Sequence, residues 1–427
     1  MKKQLLISIL LSTLIFTACS KEETDLPGEG ENTACGDGIC DEHETQNPDL
    51  CPEDCETEDS EVVDEDEEET EDDQKIARST GPLKYQGTYI MEAGTHRPEV
   101  LVNDDDLYLL AVHPDTDEGI QHRGYIFDAS DPLNMDFDDY ESFALTPEGS
   151  DHRAIIMDEE IVVVYQVNVM SEDMPEGPVS GPAEAYSESQ KLMMARFSLD
   201  GEEIFRDEIL STTDFEEDNF PDMCMLAWSE DSFLVSTGAS NTNPKETIFK
   251  IREVSLDADI ITEEKYEMTN DYIASIGNSM FPVNNGFLFF SSTQNITVTE
   301  FDEELNIGDT VEIEQDNDLA YTFPTGVVEY GDYYIVGYSS HDAGDPSIES
   351  NPLYPAIMVL TKDFEIILDG QINELFSLDA DLGSGHVHPT LAIIDDRLFY
   401  TWSSQYEKDD GNNMPQVRIE EFELSFN

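Results

Sequence analysis

A chain of 427 residues with a formal net charge of -77 repels phosphate backbones and anionic head groups, and no basic stripe offsets it, so nucleic-acid binding is excluded. With 39% hydrophobic residues it still has side chains enough for a real core, and its length predicts two or three domains or one repeat architecture. Most of the carboxylates read as a solvated acidic coat that suits high salt and attracts divalent cations without specifying a partner.

The chain opens Met1-Lys2-Lys3, runs through the apolar stretch Leu5 to Phe16 and reaches Thr17-Ala18-Cys19-Ser20. A basic head, an apolar run too short to span a bilayer, and small residues before a cysteine are the parts of a secretory signal over residues 1–18. The end of that segment resembles the lipobox of bacterial lipoproteins. The resemblance implies that the Cys19 thiol carries lipid and becomes the new N-terminus, with anchoring at the outer membrane or cell surface. No later segment has the ~18 apolar residues of a membrane-spanning helix.

A polar tether, 19–34, precedes Cys35-Gly36-Asp37-Gly38-Ile39-Cys40, Asp41, Glu44 and Cys51-Pro52-Glu53-Asp54-Cys55. Four cysteines within residues 35–55 of an exported chain predict two disulfides of open connectivity, because so short a segment cannot bury a core without cross-links. Asp37, Asp41, Glu44 and Asp54 could supply oxygen ligands to calcium, but acidic residues are everywhere in this chain and no cofactor is the favoured reading; a thiolate zinc site fits less well still outside the cytoplasm. The segment resembles a small cysteine-rich motif, CGDGxC with CPxDC, of exported bacterial and archaeal proteins, a resemblance that names no activity. Of the 25 residues in 56–80, 13 are Asp or Glu, with few apolar residues among them, so the expectation is an extended, self-repelling linker.

From residue 81 onward a pattern repeats. Two strands joined by an acidic or Asn/Gly turn recur at Glu99, Arg153, Leu226, Met280, Thr325 and Thr390, as in EVLVNDDDLYLLAV and MFPVNNGFLFFSS. Between them lie strands that run into an aspartate, at Asp128, Asp200, Asp257, Asp302 and Asp363, and continue beyond it. Short alternating strands in units of about fifty to sixty residues predict four-stranded propeller blades. The sixth unit stops one strand short, while a spare strand, Lys84 to Ile90, precedes the first unit. An all-β, six-bladed β-propeller over 81–427 follows, closed by pairing the two chain ends; a seven-bladed ring or a pair of β-sandwiches is the alternative.

In such a ring the starts of the innermost strands and the second-to-third-strand loops share one face. His96, Arg97, His152, Arg153, Asp222, His386 and His388 fall at those starts, and His113, His122 and His341 in the neighbouring loops. This is the expected ligand-binding face, since loops over a rigid scaffold carry binding residues. Arg97 and Arg153 could clamp a carboxylate, although arginines in so acidic a chain more often pair with adjacent Asp or Glu. His386 and His388, with His96 or His152 opposite, could hold a metal only from a loop, because alternate strand residues point apart. Trp402 is read as blade packing, with stacking on a sugar ring as the functional alternative. Cys224 reads as a small buried apolar residue.

The function expected is a monomeric binding module on a stalk, anchored to the membrane by lipid and offering one face to a glycan, peptide or protein. A propeller-type glycoside hydrolase is the alternative. Arg97-Pro98 resembles the arginine-proline start of the sialidase first blade, without the residue that separates the two there, and the S-x-D-x-G-x-x-W box is absent. No GxSxG, HExxH, P-loop or GxGxxG signature occurs in a suitable context, and catalysis is the less favoured reading.

Overall fold

The computed structural model describes residues 79–426 except 92–94, 105, 116–118, 129–140, 147–150, 171–186, 214–222, 241–245, 270–277, 293–294, 315–318, 343–352, 379–387 and 408–412. The expectations at Cys19, Cys35, Cys40, Cys51 and Cys55, and at Asp37, Asp41, Glu44 and Asp54, lie outside the described residues.

The chain forms six sheets of antiparallel strands arranged as a ring. β1 (Ser79–Thr80) and β2 (Leu83–Ile90) come first. Blade 1 is β3 (His96–Asn103), β4 (Asp106–Asp115), β5 (Gly119–Asp128) and β6 (Glu141–Thr146), and blade 2 is β7 (His152–Met157), β8 (Glu160–Met170), β9 (Ser187–Ser198) and β10 (Glu203–Thr212). Blade 3 is β11 (Cys224–Ala227), β12 (Ser232–Ser240), β13 (Glu246–Ser255) and β14 (Ile260–Thr269); blade 4 is β15 (Ser279–Val283), β16 (Gly286–Ser292), β17 (Ile296–Asp302) and β18 (Ile307–Ile313). Blade 5 is β19 (Leu319–Tyr330), β20 (Tyr333–Asp342), β21 (Tyr354–Thr361) and β22 (Ile366–Gln371), followed by the short helix α1 (Ile372–Phe376). The last sheet runs β23 (Thr390–Ile394), β24 (Arg397–Glu407), β25 (Asn413–Leu424), β2, β1, so three C-terminal strands and the N-terminal one share a blade, as the spare strand predicts.

Local chemistry explains the hairpins. The turns between first and second strands place Asp104, Asp158, Glu159, Gly331 and Asp395 at φ between 48 and 62, the left-handed conformation that matches strand twist and that Asp, Asn and Gly tolerate best. The turns between third and fourth strands follow one scheme in blades 2 to 5. Gly201, Ala258, Leu305 and Phe364 take positive φ, and each donates its N–H to the carbonyl three residues earlier. The side chains of Ser198, Ser255, Asp302 and Thr361 accept N–H bonds from that same turn. The aspartates that mark these turns in the sequence therefore differ in role: Asp302 is itself the cap, whereas Asp200, Asp257 and Asp363 are exposed and a hydroxyl residue two positions earlier caps instead.

Each gap between blades is filled by its own apolar cluster. Leu110 and Phe197 pack between blades 1 and 2, Val164 and Phe233 between 2 and 3, Ile251 and Phe289 between 3 and 4. Val298 and Met358 pack between blades 4 and 5, Ile357 and Tyr400 between 5 and 6, and Leu109 and Ile419 between 6 and 1. Six interfaces for six blades means that the ring is closed through its core as well as through backbone pairing. α1, which strand periodicity does not announce, buries Ile372 and Phe376, one turn apart on one face, in the interface between blades 5 and 6.

The closing pair runs from Leu83 opposite Leu424 to Ile90 opposite Arg418. Thr88 donates its hydroxyl to Glu420, and Tyr89 donates to Glu421 at 2.8 Å. Phe422 of β25 is fully buried among Tyr85, Phe376 and Leu398. Phe422→Ala should lower stability by about 3–5 kcal/mol through the cavity it leaves. Ile367→Ala, at a side chain 50% exposed, should change it by less than about 0.5 kcal/mol; equilibrium urea unfolding of both variants checks the pair.

Candidate functional site

The inner strands begin with the residues that the sequence singles out. Arg97 lies at φ 53, and the register of β3 on β4 breaks between His96 and Glu99. This is a bulge next to Pro98, which has no N–H to give to the ladder. A left-handed backbone at a long side chain costs about 1 kcal/mol or more. The conformation is held in place: the Arg97 N–H donates to Ser403 Oγ at 2.9 Å, and its guanidinium pairs with Asp151 at the head of β7. The Arg97 side chain remains 22% exposed.

A second pair runs the other way between the same blades. Arg153 Nη1 donates to Glu99 Oε2 at 3.3 Å and to the His152 carbonyl at 3.3 Å. Blades 1 and 2 are thus stitched by two crossed ion pairs, Arg97 to Asp151 and Arg153 to Glu99. The pairing of arginines with nearby acids, anticipated from composition, is what forms. Arg153 Nε is buried with no hydrogen-bond partner among the described residues. Burial pushes the Glu99 carboxyl up to about 7, against the opposing pull of Arg153, so near neutral pH it exists in both protonation states.

His122 and His152 meet beside these pairs, ring centroids 4.8 Å apart in an edge-to-face contact. The sequence suggests a loop for His122. It instead lies within β5, fully buried, because β4 and β5 run on to Asp115 and Gly119 and leave only a short connection. Burial first, then His122, Arg153 and Arg97, hold His152 well below the usual imidazole range, which keeps it neutral. Among the described residues no three His, Cys, Asp or Glu side chains converge as a metal site. His386 and Asp222, expected on this face, lie outside the described residues, as do the side chains of His96, His113 and His341. His388 is described and half-buried ahead of Thr390.

Trp402 departs from the surface role. It is 1% exposed, packed in the core between blades 5 and 6, with its indole N–H donating to Glu420 at 3.2 Å and Arg418 over its ring. Strand alternation turns it inward, where it cannot reach a sugar. Cys224 is buried as expected, but its thiol meets Ser236 Oγ at 3.0 Å, and Ser236 donates to Asn278 at 2.9 Å across blades 3 and 4. Burial raises the thiol to about 12, so it is no nucleophile.

Sequence reasoning missed the hydroxyls that join the inner strands. Thr390 accepts the Val100 N–H at 3.1 Å and contacts the Thr401 hydroxyl at 2.6 Å, and Thr325 donates to the Pro389 carbonyl at 2.7 Å. The only signal was their recurrence at inner-strand starts, which nothing in one sequence separates from ordinary strand threonines.

Compared with solved structures, the chain is similar to a DUF4623 family protein from Bacteroides eggerthii, at 11% identity and a TM-score of 0.45 over 82% of this chain and 78% of that one. It is also similar to a subtype N11 neuraminidase-like protein of A/flat-faced bat/Peru, at 9% identity and a TM-score of 0.45 over 82% and 97%. A thermostable family-43 glycoside hydrolase shares 12% identity at a TM-score of 0.40 over 79% and 94%. At these identities no residue role passes from one chain to another. No family model matches the sequence, and no curated protein matches it.

The two shifted groups give opposite pH dependences. Glu99 binds its proton more tightly folded than unfolded, so its contribution to stability is present below about pH 4.5 and is lost as pH rises through about 7. His152 binds its proton less tightly folded, so stability is lost as pH falls below about 6.5. Urea midpoints measured across this range should fall less steeply toward acid in His152→Phe, and less steeply toward neutral pH in Glu99→Gln. Parallel curves for wild type and both variants would remove the assignment.

Proposed function

We propose that this protein is an exported, lipid-anchored binding module that presents the inner-strand-start face of its propeller to a glycan, peptide or protein ligand outside the cytoplasm. The carrying observation is Arg97, a strained residue whose backbone Ser403 pins and whose guanidinium Asp151 orients while part of it stays open to solvent. Strain that the surroundings maintain is a mark of functional positions, and preorganised donors bind with little ordering cost. Beside Arg97, the Arg153 Nε, buried and without a hydrogen-bond partner among the described residues, leaves one donor of the same cluster unmet. The leader ending at Cys19, the acidic linker and the cysteine-rich segment with its calcium-suited oxygens fit a stalked surface protein, acting as a monomer.

A glycan and peptide array probed with the full-length chain, with and without calcium, tests this. The double substitution Arg97→Ala/Asp151→Asn, which strands no lone carboxylate, should weaken the captured ligand about tenfold or more, whereas Ile367→Ala should not. Equal binding by both variants would move the site elsewhere.

One observation favours a second reading, glycoside hydrolysis: a carboxyl poised at about 7, as Glu99 is, can donate a proton to a leaving group at neutral pH. Release of fluorophore from umbelliferyl glycosides, abolished by Glu99→Gln, would establish it; no turnover by wild type would leave the binding function.

A further inference from the structure

The described turns between first and second strands, and those between third and fourth strands of blades 2 to 5, lie at the opposite end of the strands from Arg97. There, between blades 4 and 5, a cavity of about 410 Å³ opens, within the ~300–1,000 Å³ range of small-molecule sites. Its walls come from the Asn284-Asn285 turn, the outer strands of blade 4, and the β21–β22 turn of blade 5.

Phe364 forms one side, at φ 63 in the turn that Thr361 caps, its ring stacked 5.9 Å from Tyr334 at an interplanar angle of 14°. Lys362 Nζ sits 3.8 Å from the Tyr334 ring centroid and 2.9 Å from Glu329. Glu300 faces the same space from β17, is exposed, and makes no hydrogen bond or ion pair among the described residues. Neither the Tyr334 hydroxyl nor the Asn285 side chain has such a partner among them. Asp302, also at the wall, is spent on its own turn, accepting from Asn306 and Glu304. Ile307, 55% exposed, completes an apolar side.

This set of groups sorts ligands by charge and polarity. An anion meets Glu300 and Asp302 inside a protein of net charge -77. A cation is drawn by Glu300 and Asp302 but finds the Tyr334 ring taken by Lys362 at 3.8 Å, so it gains charge attraction without a ring contact. A purely apolar ligand would leave the carboxylate, amide and phenol desolvated and unpaired. A neutral ring with an apolar C–H face and a rim of hydroxyls satisfies all of them, because each hydroxyl both donates and accepts.

We propose that the cleft between blades 4 and 5 is a binding site for a neutral mono- or disaccharide. Its ring lies against Phe364 and Ile307, and its hydroxyls bridge Glu300, Asn285 and Lys362. The site is at the other end of the blades from Arg97 and stands or falls separately from the binding face proposed above.

Saturation-transfer NMR on the full-length chain with glucose, galactose, maltose and cellobiose tests it, with glucuronate and putrescine as charged comparisons. Transfer to the ring C–H protons of at least one neutral sugar is expected, with none to glucuronate and weaker transfer to putrescine, which charge alone attracts. Glu300→Gln and Asn285→Ala, both at exposed positions, should retain the wild-type urea midpoint and weaken Kd about tenfold, while Arg97→Ala/Asp151→Asn leaves Kd unchanged. No transfer to any of the neutral sugars, equal transfer to a charged compound, or a Kd unmoved by Glu300→Gln and Asn285→Ala would each overturn the assignment.

Discussion

Pairing of β2 with β25 is the constraint on which the rest of the propeller depends. Blades that touch only their neighbours form an open arc unless the ends meet, and an open arc exposes two apolar faces and a bare strand edge. The shared blade removes all three at once, since Leu83 and Leu424 join the cluster against blade 5 while Val417 and Ile419 join the one against blade 1. Arg97, Asp151 and their neighbours are in fixed positions because inner strands converge on an axis, and they converge only in a closed ring.

The closure also shows how an acidic chain uses carboxylates inside. Glu420 and Glu421 are almost wholly buried on β25, a location that costs several kcal/mol for an uncompensated ion. Each has specific donors: Thr88, Trp402 and Arg418 for Glu420, and Tyr89 and Arg397 for Glu421. Burial still pushes the Glu420 carboxyl up despite these donors. Two of them come from β2, so the acids select the strand that closes the blade and disfavour a purely apolar substitute. Glu99 with Arg153 repeats the device between blades 1 and 2. A few of the 97 acidic residues are thus structural, and the rest keep the surface charged and solvated.

The two ends of the ring are built differently. At the inner-strand starts the first two blades are joined by charged pairs around a strained backbone. At the opposite end, short left-handed turns bring backbone and side chains into close order, and the apolar residues placed at positive φ, Leu305 and Phe364 among them, pack into or beside the gaps between blades. The first arrangement presents oriented donors, and the second leaves a shaped cleft where one such turn meets the next blade.

Strand alternation, turn chemistry and the mismatch between chain ends were local facts, and they sufficed for the blade count, the inner strands and the closing pair. Side-chain destinations were legible only in part. Arg97 and Arg153 were placed correctly at inner-strand starts, and their pairing with acids followed from abundance, but which acids could not be told among so many. His122 falls in a strand rather than a loop because loop length shifts with one or two residues of register, while Trp402 packs between blades as its favoured reading has it and only the sugar-stacking alternative fails. The sequence by itself determined that this chain makes a ring of six four-stranded sheets zipped at its ends, since periods of two residues and turn residues are written along the chain. Only the tertiary structure decided that Glu99 meets Arg153, that Asp151 meets Arg97 and that a cleft forms beside Phe364, because each joins residues of different blades whose approach depends on how the sheets pack.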